Sequence, residues 1–203
     1  MKVVPATPKG LAEAVAALRD GCVVAYPTET VYGLAVDPFS GAALDRLFDI
    51  KRRDAAKPLL LVIGELRQLA PIVQRVPAEA WPCMDTFWPG PLTLLFPKNE
   101  RLPSRLTADR DKVAVRLPAC ATARALCSAF GGALTSSSAN QSGAPPARCV
   151  DEINLAGVDL AIDGGLLPES PPSTLFDPVT GEVLRAGAIP EAALRHIRPL
   201  PIT

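Results

Sequence analysis

Cys22-Val23-Val24-Ala25-Tyr26-Pro27-Thr28-Glu29-Thr30-Val31-Tyr32-Gly33-Leu34 places two hydroxyls and a carboxylate directly behind a short apolar run. Cys22 to Tyr26 reads as a buried strand, and Pro27 ends it. Open α/β folds bind ligands beyond the ends of such strands, so the polar residues that follow carry interest. Two readings of Pro27 to Leu34 stand side by side. One is a turn, capped by Thr28 and relaxed by Gly33. The other is a pocket wall that hydrogen-bonds a small polar substrate.

Outward from this stretch, strand and helix patterns interleave. Thr7 caps a helix with Pro8 in its first turn, Leu11, Val15 and Leu18 keep one face apolar, and Gly21 stops it. Ser40 caps a second helix, striped by Leu44, Leu47 and Phe48, which exits near Lys51. Leu59 to Ile63 is an aliphatic strand, and Leu66, Leu69, Ile72 and Val73 follow at helical spacing. Pro77 opens another helix, which ends before the Pro89-Gly90-Pro91 corner. Thr93–Phe96 and Val113–Leu117 are strands, with Arg116 facing away from Val115 and Leu117. Ala121–Phe130 is a helix stopped by Gly131-Gly132. Ala133–Thr135, Val158–Ile162 and Thr174–Phe176 are short strands, and Asp177 to Gly181 turns into Glu182–Leu184 as a hairpin. Roughly seven strands and five helices, with no repeat and no long linker, predict one mixed α/β domain.

Composition agrees. The chain has 203 residues, 48% hydrophobic and 21% charged. A chain of this length buries about 70% of its unfolded surface and needs no disulfide or metal staple. The 22 prolines are scattered as corners. Twenty-one basic side chains balance twenty-one acidic ones, which excludes binding to nucleic acid or anionic lipid by bulk charge. The five cysteines, Cys22, Cys83, Cys120, Cys127 and Cys149, show neither a paired framework nor zinc-ligand spacing. His196, the single histidine, reads as a solvated or locally bonded side chain. The N-terminus lacks a signal-peptide core and no stretch is long enough to span a bilayer, so a reducing, cytoplasmic location is expected.

Three further polar segments concentrate candidates. Lys51, Arg52, Arg53 and Lys57 put four cations within seven residues at a helix end. They suit a solvated helix C-terminus, and they equally suit a triphosphate. Thr135 to Gly143 is either an ordinary Ser-rich loop or a set of phosphate and substrate donors. Pro172-Ser173-Thr174 and the lone arginines Arg116, Arg148 and Arg185 lie near strand or loop ends. Neither a G-x-x-x-x-G-K-[ST] loop nor a G-x-G-x-x-G turn is present, so a nucleotide would be held by side chains from several loops.

Seven motifs, in order and spacing, resemble the YrdC/TsaC family of threonylcarbamoyl-AMP synthases. They are YPTETVYGLAVDP (26–38), KRRDAAKPL (51–59), WPGPLTLLFP (88–97), VAVRLP (113–118), SSSANQSG (136–143), PSTLFD (172–177) and LRAG (184–187). The likeness is to the short form, so 1–203 is expected to be one YrdC-like domain, with core motifs in 7–190 and a tail at 191–203. The resemblance implies a twisted mixed sheet flanked by helices, with a concave cationic cavity. It implies synthesis of L-threonylcarbamoyladenylate and pyrophosphate from L-threonine, bicarbonate or carbon dioxide, and ATP. The product serves the N6-threonylcarbamoyl modification of adenosine 37 in tRNA, through hand-over to a separate transferase complex, with at most weak tRNA contact by this chain.

The same resemblance assigns roles. Lys51 and Arg53 would hold the ATP phosphates and act catalytically, with Lys57 also facing ATP. Thr30 would contact threonine, Thr28 and Tyr32 would shape that wall, and Arg116 would pair with the threonine carboxylate. Ser138 would touch nucleotide and Asn140 substrate. Arg148, Ser173 and Arg185 would be outer contacts to ATP, threonine and ATP in that order. Magnesium would accompany ATP, with no tightly held metal site. Two departures stand out: Val62 occupies a position that is histidine in some longer members, and Arg52 is an additional arginine without an implied role. The competing reading is a double-stranded-RNA-binding module on the same fold, which the zero net charge disfavours. Related carbamoyl-transfer and ribulose-phosphate chemistries on this topology lack their zinc-finger regions or acidic metal clusters here.

Overall fold

The computed structural model describes residues 1–195 and 197; the reading of His196, and of the tail beyond 197, falls outside the described residues. In chain order the elements are β1 (Lys2–Pro5), α1 (Pro8–Arg19), β2 (Val24–Tyr26), β3 (Gly33–Ala35), α2 (Gly41–Lys51), β4 (Leu60–Val62), α3 (Trp81–Phe87), β5 (Leu92–Pro97), α4 (Ser104–Thr107), β6 (Lys112–Arg116), α5 (Ala121–Phe130), β7 (Leu134–Ser138), β8 (Leu160–Asp163), β9 (Thr174–Asp177), β10 (Glu182–Arg185) and α6 (Glu191–Arg195). The strands form one ten-stranded sheet in the order β1-β8-β2-β3-β7-β4-β6-β5-β9-β10. It is mixed: β1–β8, β2–β8, β4–β6 and β5–β9 pair parallel, and the other neighbours are antiparallel. No helix among the described residues is long and apolar enough to cross a membrane.

Local signals set the helix ends. Thr7 accepts from the Gly10 amide at 3.3 Å and Ser40 from the Ala43 amide at 3.3 Å, each completing an N-cap. Gly131, at φ 90°, closes α5 in the left-handed region. Arg52 takes that role for α2 at φ 47°. This gives the additional arginine a backbone function: it turns the chain out of the helix.

Period-two alternation divides the sheet into two faces. One face, with Leu61, Leu94, Val113, Val115 and Phe96, packs beneath α2 and α3 in the larger core. The opposite face is covered by α1 and α5 only over part of its width, where Val4, Val24, Tyr26, Val62 and Leu134 meet Leu18 and Leu126. Val62 is fully buried in that second core. The remainder of the second face is left open.

Several elements differ from the sequence reading. β1 and β3 are additional to the expected strands. Only Val4 is buried in β1, so no alternation marks it. β3 follows β2 through a long turn without a two-residue hairpin signal. β7 runs on to Ser138, beyond the expected strand end at Thr135. The helix expected over Leu66–Val73 is only a 3-10 turn at Leu66–Leu69, and the helix expected from Pro77 starts as a 3-10 turn at Ala78–Ala80 before α3.

Candidate active site

The open part of the second face floors a cavity of about 740 Å³. Lys112, Ala114 and Arg116 project into it from alternate positions of β6, beside Leu60, Leu95 and Ser136. Register explains the grouping: Leu60 lies opposite both Ala114 and Ser136, and Leu95 opposite Ala114. Loops close the sides. Thr28 and Thr30 come from the β2–β3 turn, Arg53 from the segment after α2, Asn140 from the segment after β7, Ser173 from the start of β9, and Arg185 from the end of β10. Five cationic side chains and two carboxylates line the space.

Arg116 is the most enclosed of the five cations that line the cavity, 3% exposed. Its Nη1 lies 3.5 Å from Thr30 Oγ1 and 3.7 Å from Glu29 Oε1, and its buried Nε–H has no partner. A buried guanidinium with spare donors is a receptor for an oxyanion, because each unpaired donor costs desolvation without return. Thr28 builds the turn beside it. Its Oγ1 donates to Val31 O at 2.6 Å and accepts from the Thr30 and Val31 amides at 3.2 Å each. Thr28 thus makes the turn and also lines the cavity. Asn140 Nδ2 donates to Gln141 O at 3.0 Å, while its buried Oδ1 is unpartnered.

Lys51, at the end of α2, is buried and turned away from the open space. Its ammonium donates to the backbone carbonyls of Ser138 and, at 2.7 Å, of Asn140. Burial, reinforced by the Arg53 guanidinium, pushes its pKa down to about 8. Arg53 lines the cavity and is aimed by its own loop, donating to Lys57 O at 3.2 Å and Pro58 O at 2.9 Å. Burial lowers its pKa as well. Lys57 is exposed and does not line the cavity.

On the far wall, Arg185 grips Ser173. Its Nε and Nη2 donate to Ser173 O at 3.1 and 2.9 Å, and Nη2 also meets Ser173 Oγ at 2.9 Å. Ser173 Oγ is in turn 2.7 Å from Thr93 Oγ1. All three guanidiniums line the same cavity, and burial, then repulsion from Arg116 and Arg53, lowers the Arg185 pKa. Gly187 is required for this wall. A Cβ there would stand 2.2 Å from Pro172 O and 2.5 Å from Thr174 N, and backbone atoms cannot yield to it. Gly187→Ala is expected to destabilise the protein by about 2–3 kcal/mol in urea unfolding, and to weaken nucleotide binding through displacement of Ser173 and Arg185.

Two candidates lie behind the walls. Tyr32 is fully buried; its hydroxyl donates to Gly165 O at 3.0 Å and accepts from the Gly164 amide at 2.9 Å. Arg148 donates through Nε and Nη2 to Leu167 O at 3.0 and 2.8 Å. Both fasten the segment that leads to Ser170 and Pro172, which line the cavity. Ser138 lines it directly. Sequence reasoning gave Lys112 and Asp177 no place at the site, and it held Glu29 and Ser136 only within segments read either as turn or loop or as site wall. Period two along β6 puts Lys112 on the face of Arg116, so that one was within reach; Ser136 and Asp177 depend on strand pairing, and Glu29 on the approach of its turn to Arg116. Asp177 is ion-paired to Lys112. Among the described residues no three His, Cys, Asp or Glu side chains cluster in a metal-ligating arrangement.

The open sheet face and its converging guanidiniums define an anion-handling α/β protein. Residues 16–187 match the Sua5/YciO/YrdC family model, described as "Telomere recombination", and the chain belongs to that family. It is 44% identical over 177 residues to a threonylcarbamoyl-AMP synthase of Chromohalobacter salexigens, covering 86% of this chain and 96% of that one. It is 40% identical over 176 residues to the threonylcarbamoyl-AMP synthase of Coxiella burnetii, covering 85% and 95%. The fold superposes on the crystal structure of P. abyssi Sua5 complexed with L-threonine with a TM-score of 0.89 at 33% identity. That match covers 97% of this chain, which spans only 59% of the Sua5 chain.

Proposed function

We propose that the chain is an L-threonylcarbamoyladenylate synthase. It takes L-threonine, bicarbonate or carbon dioxide, and ATP, and yields threonylcarbamoyl-AMP and pyrophosphate. The observation that carries this reading is the juxtaposition of Arg116, with spare donors beside Thr30, and the guanidiniums of Arg53 and Arg185 in one cavity. The first suits an amino-acid carboxylate and the second a triphosphate. Relatives bearing the synthase name along most of both chains support it.

In the proposed reaction the threonine amine adds to carbon dioxide and loses a proton, giving N-carboxythreonine. An oxygen of the new carboxylate attacks the α-phosphorus of ATP; the bond to the β-phosphate oxygen breaks and pyrophosphate leaves. Every participant is or becomes an anion, so the work is charge neutralisation and alignment. Arg53 holds the phosphates, Lys51 supports that wall from beneath Ser138 and Asn140, and Lys57 and Arg148 act at its margin. Arg185 and Ser138 contact the nucleotide. Arg116, Thr30, Asn140 and Ser173 hold threonine, with Thr28 and Tyr32 fixing the turn that carries Thr30. Magnesium enters with ATP as part of the substrate.

The functional unit spans the motifs of 7–190 in one domain and works in the cytoplasm. Its product passes to a tRNA threonylcarbamoyl transferase, and tRNA itself is touched weakly or not at all. The decisive assay is pyrophosphate release with magnesium, omitting threonine or bicarbonate in turn, together with mass spectrometry of the adenylate. Release that needs both, with the threonylcarbamoyl-AMP mass, is the expected outcome. Folded protein that releases none overturns the reading and turns attention to RNA affinity.

A further inference from the structure

The charges of the cavity are unevenly compensated. Arg53, Arg116 and Arg185 all face it. Among the described residues only Arg116 of these three has a carboxylate at ion-pair distance, Glu29 at 3.7 Å. That gap is too long for a hydrogen bond and short enough for strong Coulomb attraction in a buried setting. Both carboxylate oxygens of Glu29 are shielded from solvent and lack hydrogen-bond partners. Burying a carboxylate so is costly, and the turn does not need it, because Thr28 Oγ1 already serves the Thr30 and Val31 amides. Its evident effect is to offset the charge of Arg116, while among the described residues Arg53 and Arg185 have no carboxylate at ion-pair distance.

We propose that Glu29 is a specificity-determining residue that divides the cavity into a neutral end at Arg116 and a cationic end at Arg53 and Arg185. The neutral end suits a zwitterionic amino acid, which carries no net charge. The cationic end draws the polyphosphate. Without Glu29 the Arg116 end becomes cationic too, and phosphate groups compete there with the amino-acid carboxylate. This inference rests on the function proposed above. Glu29 does not touch substrate; it acts through Arg116.

The test is equilibrium binding of L-threonine at rising concentrations of inorganic pyrophosphate, for the wild type and Glu29→Gln. In the wild type the threonine Kd should move by less than about twofold at saturating pyrophosphate. In Glu29→Gln it should weaken by about tenfold or more, which corresponds to about 1.4 kcal/mol. Glu29→Asp keeps the charge and should behave as the wild type; pyrophosphate sensitivity in this variant overturns the proposal even where Glu29→Gln fails to fold. A folded Glu29→Gln protein indifferent to pyrophosphate, or equal competition in the wild type, overturns it while leaving the proposed function standing. Wild-type protein that binds pyrophosphate but no threonine overturns both.

Discussion

Arg116→Leu should reduce kcat/KM for threonine by about 10²–10³-fold while ATP still binds through Arg53 and Arg185. The guanidinium is 3% exposed and its Nε–H is unpartnered, so no water-exposed neighbour stands ready to replace it. A second effect accompanies the first. Removing Arg116 leaves Glu29 as a buried charge without the ion-pair partner it has among the described residues, at a cost of about 3 kcal/mol. Adding Glu29→Gln to Arg116→Leu should recover most of that stability and none of the activity. Urea unfolding, nucleotide titration and pyrophosphate release on the two variants separate these effects. A double variant that regains turnover would place the threonine carboxylate elsewhere.

Lys51→Met should abolish most turnover although Lys51 does not line the cavity. Its ammonium is the donor for the carbonyls of Ser138 and Asn140, and these residues carry the cavity-facing Ser138 side chain and the unpartnered Asn140 oxygen. Relief of a buried charge offsets part of the loss of two hydrogen bonds, so stability changes less than activity. A pH signature follows from the pKa of about 8. Below it Lys51 holds its proton and the brace is charged; above it the proton is lost and the brace weakens. Wild-type turnover should therefore carry a falling limb above about pH 8 that Lys51→Arg lacks. Both proteins share the titration of the threonine amine, so the difference between their profiles belongs to Lys51. Identical profiles would remove Lys51 from this role.

Residues whose chemistry and local pattern agree are legible in the amino-acid sequence alone. The capped helix from Thr7, the helix at Ala121–Phe130 and the hairpin of β9 and β10 follow from short-range signals, and the structure has each of them. Arg116 is readable as facing away from Val115. What escapes depends on neighbours distant in sequence. Ser136 and Ser138 look like a loop because their hydroxyls face a cavity, although both residues are paired in β7 with Leu60 and Gly33. Lys51 reads equally as a solvated helix-end cation and as a phosphate ligand, and only the fold shows its ammonium on the carbonyls of Ser138 and Asn140. Glu29 reads as part of either a turn or a pocket wall, and only Arg116, from β6, shows what its charge opposes. Local physics cannot choose between wall and turn at Thr28, because the folded residue is both.

The formal net charge is zero, yet the cavity wall holds five cations against two carboxylates. The rest of the chain is therefore net acidic, and the cavity wall carries the local excess of positive charge. A small polyanion is drawn inward along focused field lines, with an on-rate that falls as salt screens the attraction.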